Sequence, residues 1–219
     1  MSSENFKQDV YAQLARVAKA VGHANRLELL EFVAQGPRGV DELANMTHLS
    51  VANASKHLQE LRQAGLVRAR KEGVRVFYEL AGTDVVDLLA ALRTVAEARV
   101  AEVSQLLRTY ITARDDLEPV PVQELLKRAR LGLVTVLDVR PPEEYAAGHV
   151  PGAINITMEA LNSHLRRLPK GREIIAYCRG PYCLLSVDAV ALLREKGYKA
   201  RRMEDGFPEW KAAGMPVEA

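Results

Sequence analysis

Pro119 and Pro121 follow the acidic stretch Asp115-Asp116-Leu117-Glu118, and the hydrophobic patterning changes character across them. Before this point apolar residues recur at helical spacing over 5–20, 24–35, 39–46, 50–64 and 83–113. The exception is 66–80, where two β-rich runs flank Lys71-Glu72-Gly73 and signal a hairpin. After it, β-rich runs at 134–139, 174–178 and 200–203 alternate with helical ones at 122–130, 143–147, 161–168 and 184–196. That alternation predicts an α/β domain with a mainly parallel sheet. A helix cannot continue through the two prolines. The chain therefore reads as two unlike domains, a mainly helical one at 1–114 and an α/β one at 122–219, with a linker at 115–121.

Composition narrows the class. With 219 residues, 48% hydrophobic and 26% charged, the chain is neither disordered nor low-complexity. No apolar run approaches the ~18 residues that span a bilayer, and the opening MSSENFKQDV lacks the apolar core of a signal peptide. Two cysteines, Cys178 and Cys183, are too few for a disulfide framework. They read as reactive chemistry in a reducing compartment, so a cytoplasmic protein with no membrane partner and no cofactor is expected.

Charge is local rather than global. Formal net charge is only +2, yet 50–78 carries Lys56, Arg62, Arg68, Arg70, Lys71 and Arg75 against Glu60 and Glu72. Ser50 is placed to cap a helix whose inward face is Ala54, Leu58 and Leu61. Its outward face is Val51, Ala52, Asn53, Ser55, Lys56 and Gln59. The small N-terminal residues let the backbone approach base edges, and Asn53, Ser55 and Lys56 can bond bases or phosphates. Gly65 sits where a left-handed helix cap is wanted. The hairpin then offers Arg68, Arg70, Lys71 and Arg75 to phosphates. The competing reading is a solvated charged hairpin on a helical interaction domain.

The stretches GHANRLELLEFV (22–33) and LSVANASKHLQELRQAGLVRARKEGVRVFYEL (49–80) resemble the ArsR-type winged-helix repressors, and the likeness covers about the first 110 residues. It implies a homodimer that holds double-stranded operator DNA and releases it on sensing an inducer. The stripe Val85, Leu88, Leu89, Leu92, Val95, Val103, Leu106, Leu107 and Tyr110 runs along ~46 Å of a helix over 83–113. With Val10, Leu14, Val17 and Val21 it fits a long dimerisation helix. The alternative is that this helix packs on the C-terminal domain. Metal-sensing relatives use thiolate or His/carboxylate clusters, but 36–48 has no cysteine and 83–113 has neither Cys nor His. No metal site is expected. His23, His48 and His57 read as single structural or solvated side chains.

In the second domain an apolar strand delivers Cys178 into Arg179-Gly180-Pro181-Tyr182-Cys183, with a helix from about Leu184. Loop amides and a helix N-terminus favour the thiolate, and Arg179 adds positive charge that stabilises the thiolate or an anion. The flanking Leu137-Asp138-Val139-Arg140-Pro141-Pro142-Glu143-Glu144-Tyr145, Gly148-His149-Val150-Pro151-Gly152-Ala153-Ile154-Asn155-Ile156 and Gly206-Phe207-Pro208-Glu209-Trp210 resemble the rhodanese (sulfurtransferase) domain. The resemblance implies that Cys178 takes a sulfane sulfur from a small-molecule donor and holds it as a persulfide. Asp138, Arg140 and His149 match positions that are mainly scaffolding, and Trp210 reads as core.

Many single-domain sulfurtransferases carry an arginine or a small polar residue where this chain has Cys183. The loss of an arginine argues against an anionic donor such as thiosulfate. Cys183 is open to three readings: a resolving thiol, a small buried hydrophobe, or half of an incomplete zinc or arsenite site. A direct disulfide needs Cα atoms within ~7 Å, and an inserted sulfur atom would ease the reach. The whole chain reads as a repressor in which reactive sulfur at Cys178 alters operator binding. The alternatives are a working sulfurtransferase fused to a DNA-binding module without sensing, an arsenate-reductase-like use of the loop, and a metalloid-responsive regulator.

Overall fold

A computed structural model describes residues 3–219. These form two compact units that divide between Val85 and Val86.

The first unit contains α1 (Ser3–Val21), α2 (Ala24–Val33), β1 (Arg38–Gly39), α3 (Val40–Met46), α4 (Val51–Gln63), β2 (Val67–Glu72) and β3 (Arg75–Leu80). The strands form one antiparallel sheet in the order β1-β3-β2. Ser50 Oγ accepts from the Asn53 amide at 3.3 Å, so it caps α4 as its position predicts. Gly65 ends that helix at φ +78°, a conformation side chains with a Cβ resist, and Gly73 turns the hairpin at φ +59°. Leu29, Leu30, Leu43, Leu58 and Leu61 are fully buried and hold α2, α3 and α4 together. Arg26, itself buried, donates to the carbonyls of Ala20 and Lys19 and pairs with Glu60.

α5 (Asp84–Arg99) begins at the end of this unit and continues into the next. The expected single helix over 83–113 is instead broken at Val100, whose φ −110° and ψ 106° are extended. α6 (Ala101–Leu107) follows, then a π-helical turn over Arg108–Thr112. The Ser104 hydroxyl donates to the Glu97 carbonyl at 3.0 Å, giving that backbone oxygen a partner at the break. Leu88, Leu92, Val95, Leu106 and Tyr110 are exposed, as are Val10 and Leu14 on α1.

The second unit continues with α7 (Val122–Arg130), β4 (Val134–Asp138), α8 (Pro142–Ala146), β5 (Ile154–Asn155), α9 (Met158–His164), β6 (Glu173–Tyr177), α10 (Leu184–Glu195), β7 (Ala200–Arg202) and α11 (Phe207–Ala212). Its four strands are all parallel, in the order β5-β4-β6-β7. Strand alternation divides the core between the two faces. Ile174, Ala176 and Cys178 pack with Ala189, Val190 and Leu193 of α10. Ile175 and Tyr177 pack with Leu125, Phe207 and Trp210. Trp210 is fully buried, in line with its reading as core, and donates to the Pro216 carbonyl. Residues 115–121 are tied to this unit. Asp115, with no exposed side-chain surface, pairs with Arg194 at 2.8 Å, and Val120 bridges to Met203.

Candidate functional site

Two surfaces carry the residues singled out from sequence, one in each unit. In the first, α4 displays Val51, Ala52, Asn53, Lys56 and Gln59 exposed and Ser55 half-buried, while Ala54, Leu58 and Leu61 face the core. The hairpin register pairs Arg70 with Phe77 and Glu72 with Arg75. Directly opposed residues share a face, so Arg68, Arg70 and Arg75 lie on one side of the ribbon and Lys71 on the other. All four are exposed, and Arg70 pairs with Glu72 at 2.5 Å. Between α3, α4 and β3 lies a groove of about 1060 Å³ whose lining includes Ser55, Gln59, Arg62, Arg75 and Phe77. Arg62 was named from sequence only as part of the basic stretch, not as a DNA contact, and Phe77 was not singled out. Phe77 reaches the groove only through strand pairing.

The rings of His23 and His57, read as scattered, have centroids 4.5 Å apart. His23 Nδ1 accepts from the Asn25 amide and caps α2. Burial, then His23 and Arg26, hold His57 below the ordinary histidine range.

In the second unit, β6 ends at Tyr177 and Cys178 follows in phase with its α10-facing residues, only 1% exposed. The loop returns through a Cys183 amide to Gly180 carbonyl bond at 3.1 Å, and Cys183 becomes the N-cap residue of α10. Cys178 and Cys183 are joined by a disulfide, with Cα atoms 6.2 Å apart. The base of the loop rests on the segment before α11. Phe207 donates its amide to the Cys178 carbonyl at 3.1 Å. A Cβ on Gly206 would lie 2.4 Å from the backbone of Arg179 and Gly180, so only glycine fits there.

Arg179, expected to place its charge at the sulfur, instead holds both oxygens of the fully buried Glu144 side chain, with Nε at 2.9 and 3.0 Å. Arg93 of α5 pairs with Glu209 at 2.6 Å, and the other oxygen of Glu209 accepts the Gly206 amide. Burial pushes Asp205 above the carboxylate range, partly offset by Arg93. Tyr182, in the middle of the loop, donates its hydroxyl to Glu97 of α5 at 2.6 Å. Neither Tyr182 nor Glu97 carries a motif that would have marked it. Asp138 and Arg140 are wholly buried and paired at 2.7 Å, with Arg140 also bonding the Gly148 carbonyl. Their scaffolding role is thereby explained. Among the described residues no group of three His, Cys, Asp or Glu is arranged to hold a metal ion, and no helix is long and apolar enough to cross a membrane.

Comparison with known proteins follows the same division. Residues 23–69 match the model of the bacterial regulatory protein, arsR family, and residues 121–213 that of the rhodanese-like domain. The chain is 44% identical over 206 residues to the HTH-type transcriptional regulator Rv0324 of Mycobacterium tuberculosis, covering 94% of this chain and 90% of that protein. Over 87 residues it is 31% identical to a sulfurtransferase of Allochromatium vinosum, covering 39% of this chain and 79% of the other. A solution structure of the homodimeric winged helix-turn-helix DNA-binding domain of Mb0332 from Mycobacterium bovis matches at 40% identity and TM-score 0.42, covering 46% of this chain and 91% of that one.

Proposed function

The chain belongs to the arsR family of bacterial transcriptional regulators and carries a rhodanese-like domain, and from that premise we propose a cytoplasmic, homodimeric repressor that senses sulfane sulfur at Cys178. α4 enters the major groove with Asn53, Ser55, Lys56 and Gln59, while Arg68, Arg70, Lys71 and Arg75 of the hairpin follow phosphates. The exposed apolar residues of α1 and α5 supply the dimer surface. That the winged helix of Mb0332 is homodimeric agrees with this reading.

The chemistry is nucleophilic. The Cys178 thiolate attacks the outer sulfur of a hydropersulfide RS–SH, the S–S bond breaks, RS⁻ leaves and takes up the proton, and Cys178 keeps the sulfur as a persulfide. Both guanidiniums beside the loop are engaged by carboxylates, Arg179 by Glu144 and Arg93 by Glu209. That pairing favours a small hydropersulfide over a dianionic donor.

The observation that carries the reading is the Tyr182–Glu97 hydrogen bond, because it joins the only thiol-bearing loop to the helix that begins in the winged-helix unit. The experiment is a DNA-binding titration by fluorescence anisotropy, using a duplex selected by the protein from random sequence. Addition of cysteine hydropersulfide should weaken binding by the wild type and leave Cys178→Ser unaffected. Equal release from both proteins would sink the proposal. The second reading, a working sulfurtransferase without sensing, draws on the likeness to the Allochromatium vinosum enzyme. It requires multiple-turnover sulfur transfer with no change in DNA affinity.

A further inference from the structure

We propose that the loop also carries a reductive half-reaction. Cys183 attacks the Cys178 persulfide, hydrogen sulfide is released, and the Cys178–Cys183 disulfide is the lasting product. The proposal rests on Cys178 being the sulfur acceptor and adds an activity to it.

Reach permits the step. The two cysteines are bonded directly, with Cα atoms 6.2 Å apart, within the span a disulfide allows. The loop therefore closes without any sulfur inserted between the residues.

Charge sets its direction. Cys183 is the N-cap residue of the twelve-residue α10, and no side-chain cap hydrogen bond occupies its sulfur. The free amides and dipole of the first turn favour negative charge there, which makes Cys183 the attacking thiolate. Cys178 sits in the apolar cluster with Ala176 and Val190. A charge in that environment is costly, so the persulfide there is the neutral Cys178–S–SH, the form whose outer sulfur can leave as HS⁻ and carry away the charge that Cys183 brings.

The steps balance. In the first, Cys178–S⁻ takes the outer sulfur of RS–SH and RS⁻ leaves as RSH after protonation. In the second, Cys183–S⁻ attacks the Cys178 Sγ of Cys178–S–SH; the S–SH bond breaks, the Sγ–Sγ bond forms and HS⁻ leaves. Overall one hydropersulfide and two protein thiols give one thiol, one hydrogen sulfide and one disulfide. The sulfane sulfur is reduced by two electrons and the cysteine pair is oxidised by two. A small dithiol returns both cysteines to thiols, entering at the half-buried Cys183 sulfur and expelling Cys178 as thiolate.

The test uses the full chain, reduced and freed of reductant, with one equivalent of cysteine hydropersulfide, trapping released sulfide and taking intact masses. The wild type is expected to release roughly one sulfide per chain and to lose two hydrogens. Cys183→Ser, whose serine is itself a good N-cap, is expected to retain one added sulfur on Cys178 and release no sulfide. Circular dichroism of the variant guards against misfolding, and Cys183→Ala repeats the result without a hydroxyl. A wild type that holds the added sulfur and releases no sulfide overturns this proposal and leaves sulfur acceptance intact. A Cys183→Ser protein that carries the donor's RS group, or nothing, overturns the acceptor reading itself, and with it the sequence of attack and resolution.

Discussion

Tyr182 donates its hydroxyl to Glu97 Oε1 at 2.6 Å, tying the residue beside Cys183 to α5. Burial, then the Glu97 carboxylate, push that hydroxyl well above the usual tyrosine range, so it remains a donor at any physiological pH. Tyr182→Phe removes the bond and keeps the ring. The sulfide released per chain should be unchanged, while sulfur-dependent release of DNA weakens. A partly exposed hydrogen bond of this kind is worth about 1 kcal/mol, which sets the loss of coupling at roughly fivefold. Anisotropy titrations with and without the donor read it directly, and undiminished release would remove Tyr182 from the route.

The winged-helix face makes separable predictions. Lys56→Ala and Arg75→Ala should each weaken binding to every sequence alike and lower the slope of log affinity against log salt by about 1. Asn53→Ala should instead relax base choice, costing about 1–3 kcal/mol on the preferred duplex and little on others. A salt series on preferred and scrambled duplexes distinguishes the two classes. A pure salt effect from Asn53→Ala would move that residue from base reading to phosphate contact.

Much of this was legible because the signals are local. Ser50 is three residues from the amide it caps, Gly65 and Gly73 mark positive φ, and alternation through Ile174, Ala176 and Cys178 shows which face the cysteine joins. What the sequence hid depends on long-range approach. Glu97 and Tyr182 are 85 residues apart and Arg179 finds Glu144 across 35, so neither pairing has a spacing to detect. The break at Val100 was hidden differently. The apolar stripe continues through it, and periodicity does not register one residue leaving the helical region.

Asp138 and Arg140 provide a stability test confined to the second unit. Both side chains have no exposed surface, and Tyr177 adds a hydrogen bond to Asp138. Removing one partner leaves a buried charge uncompensated, at a cost of about 3–5 kcal/mol. Arg140→Met should lower the melting temperature of this unit sharply and abolish sulfur uptake. Should the isolated 3–85 segment fold, its melting would be unaffected by definition, so the full-length scan must show the loss in a transition absent from that segment.

His57 predicts a pH effect in the first unit. Its pKa is depressed in the folded chain, by burial first and then by His23, Arg26 and Lys56, with Glu60 opposing. Below the ordinary histidine range, about 6.5, the unfolded chain binds a proton that the folded chain takes up less readily. Stability therefore falls as pH drops through that range, and nothing is lost above it. His57→Gln should lose less stability than wild type between about pH 7.5 and about pH 5.5 in urea titrations. An identical loss in both proteins would assign the acid sensitivity to other groups.

Gly206 is required for packing rather than for its backbone angles, since its φ of −103° is open to any residue. Its missing Cβ leaves room for the carbonyl of Arg179 and the amide of Gly180, each 2.4 Å from where that atom would stand. Gly206→Ala must push the loop away or move the start of α11, straining the Phe207 amide to Cys178 carbonyl bond. Overpacking of this kind costs about 1–3 kcal/mol. The variant should melt earlier in the second unit and take up sulfur more slowly, with DNA affinity of the reduced protein unchanged. Rates of sulfide release, measured beside melting, separate loop geometry from stability: slower uptake well below the melting transition assigns the effect to the loop. Wild-type uptake together with wild-type stability would mean that the loop does not depend on this contact.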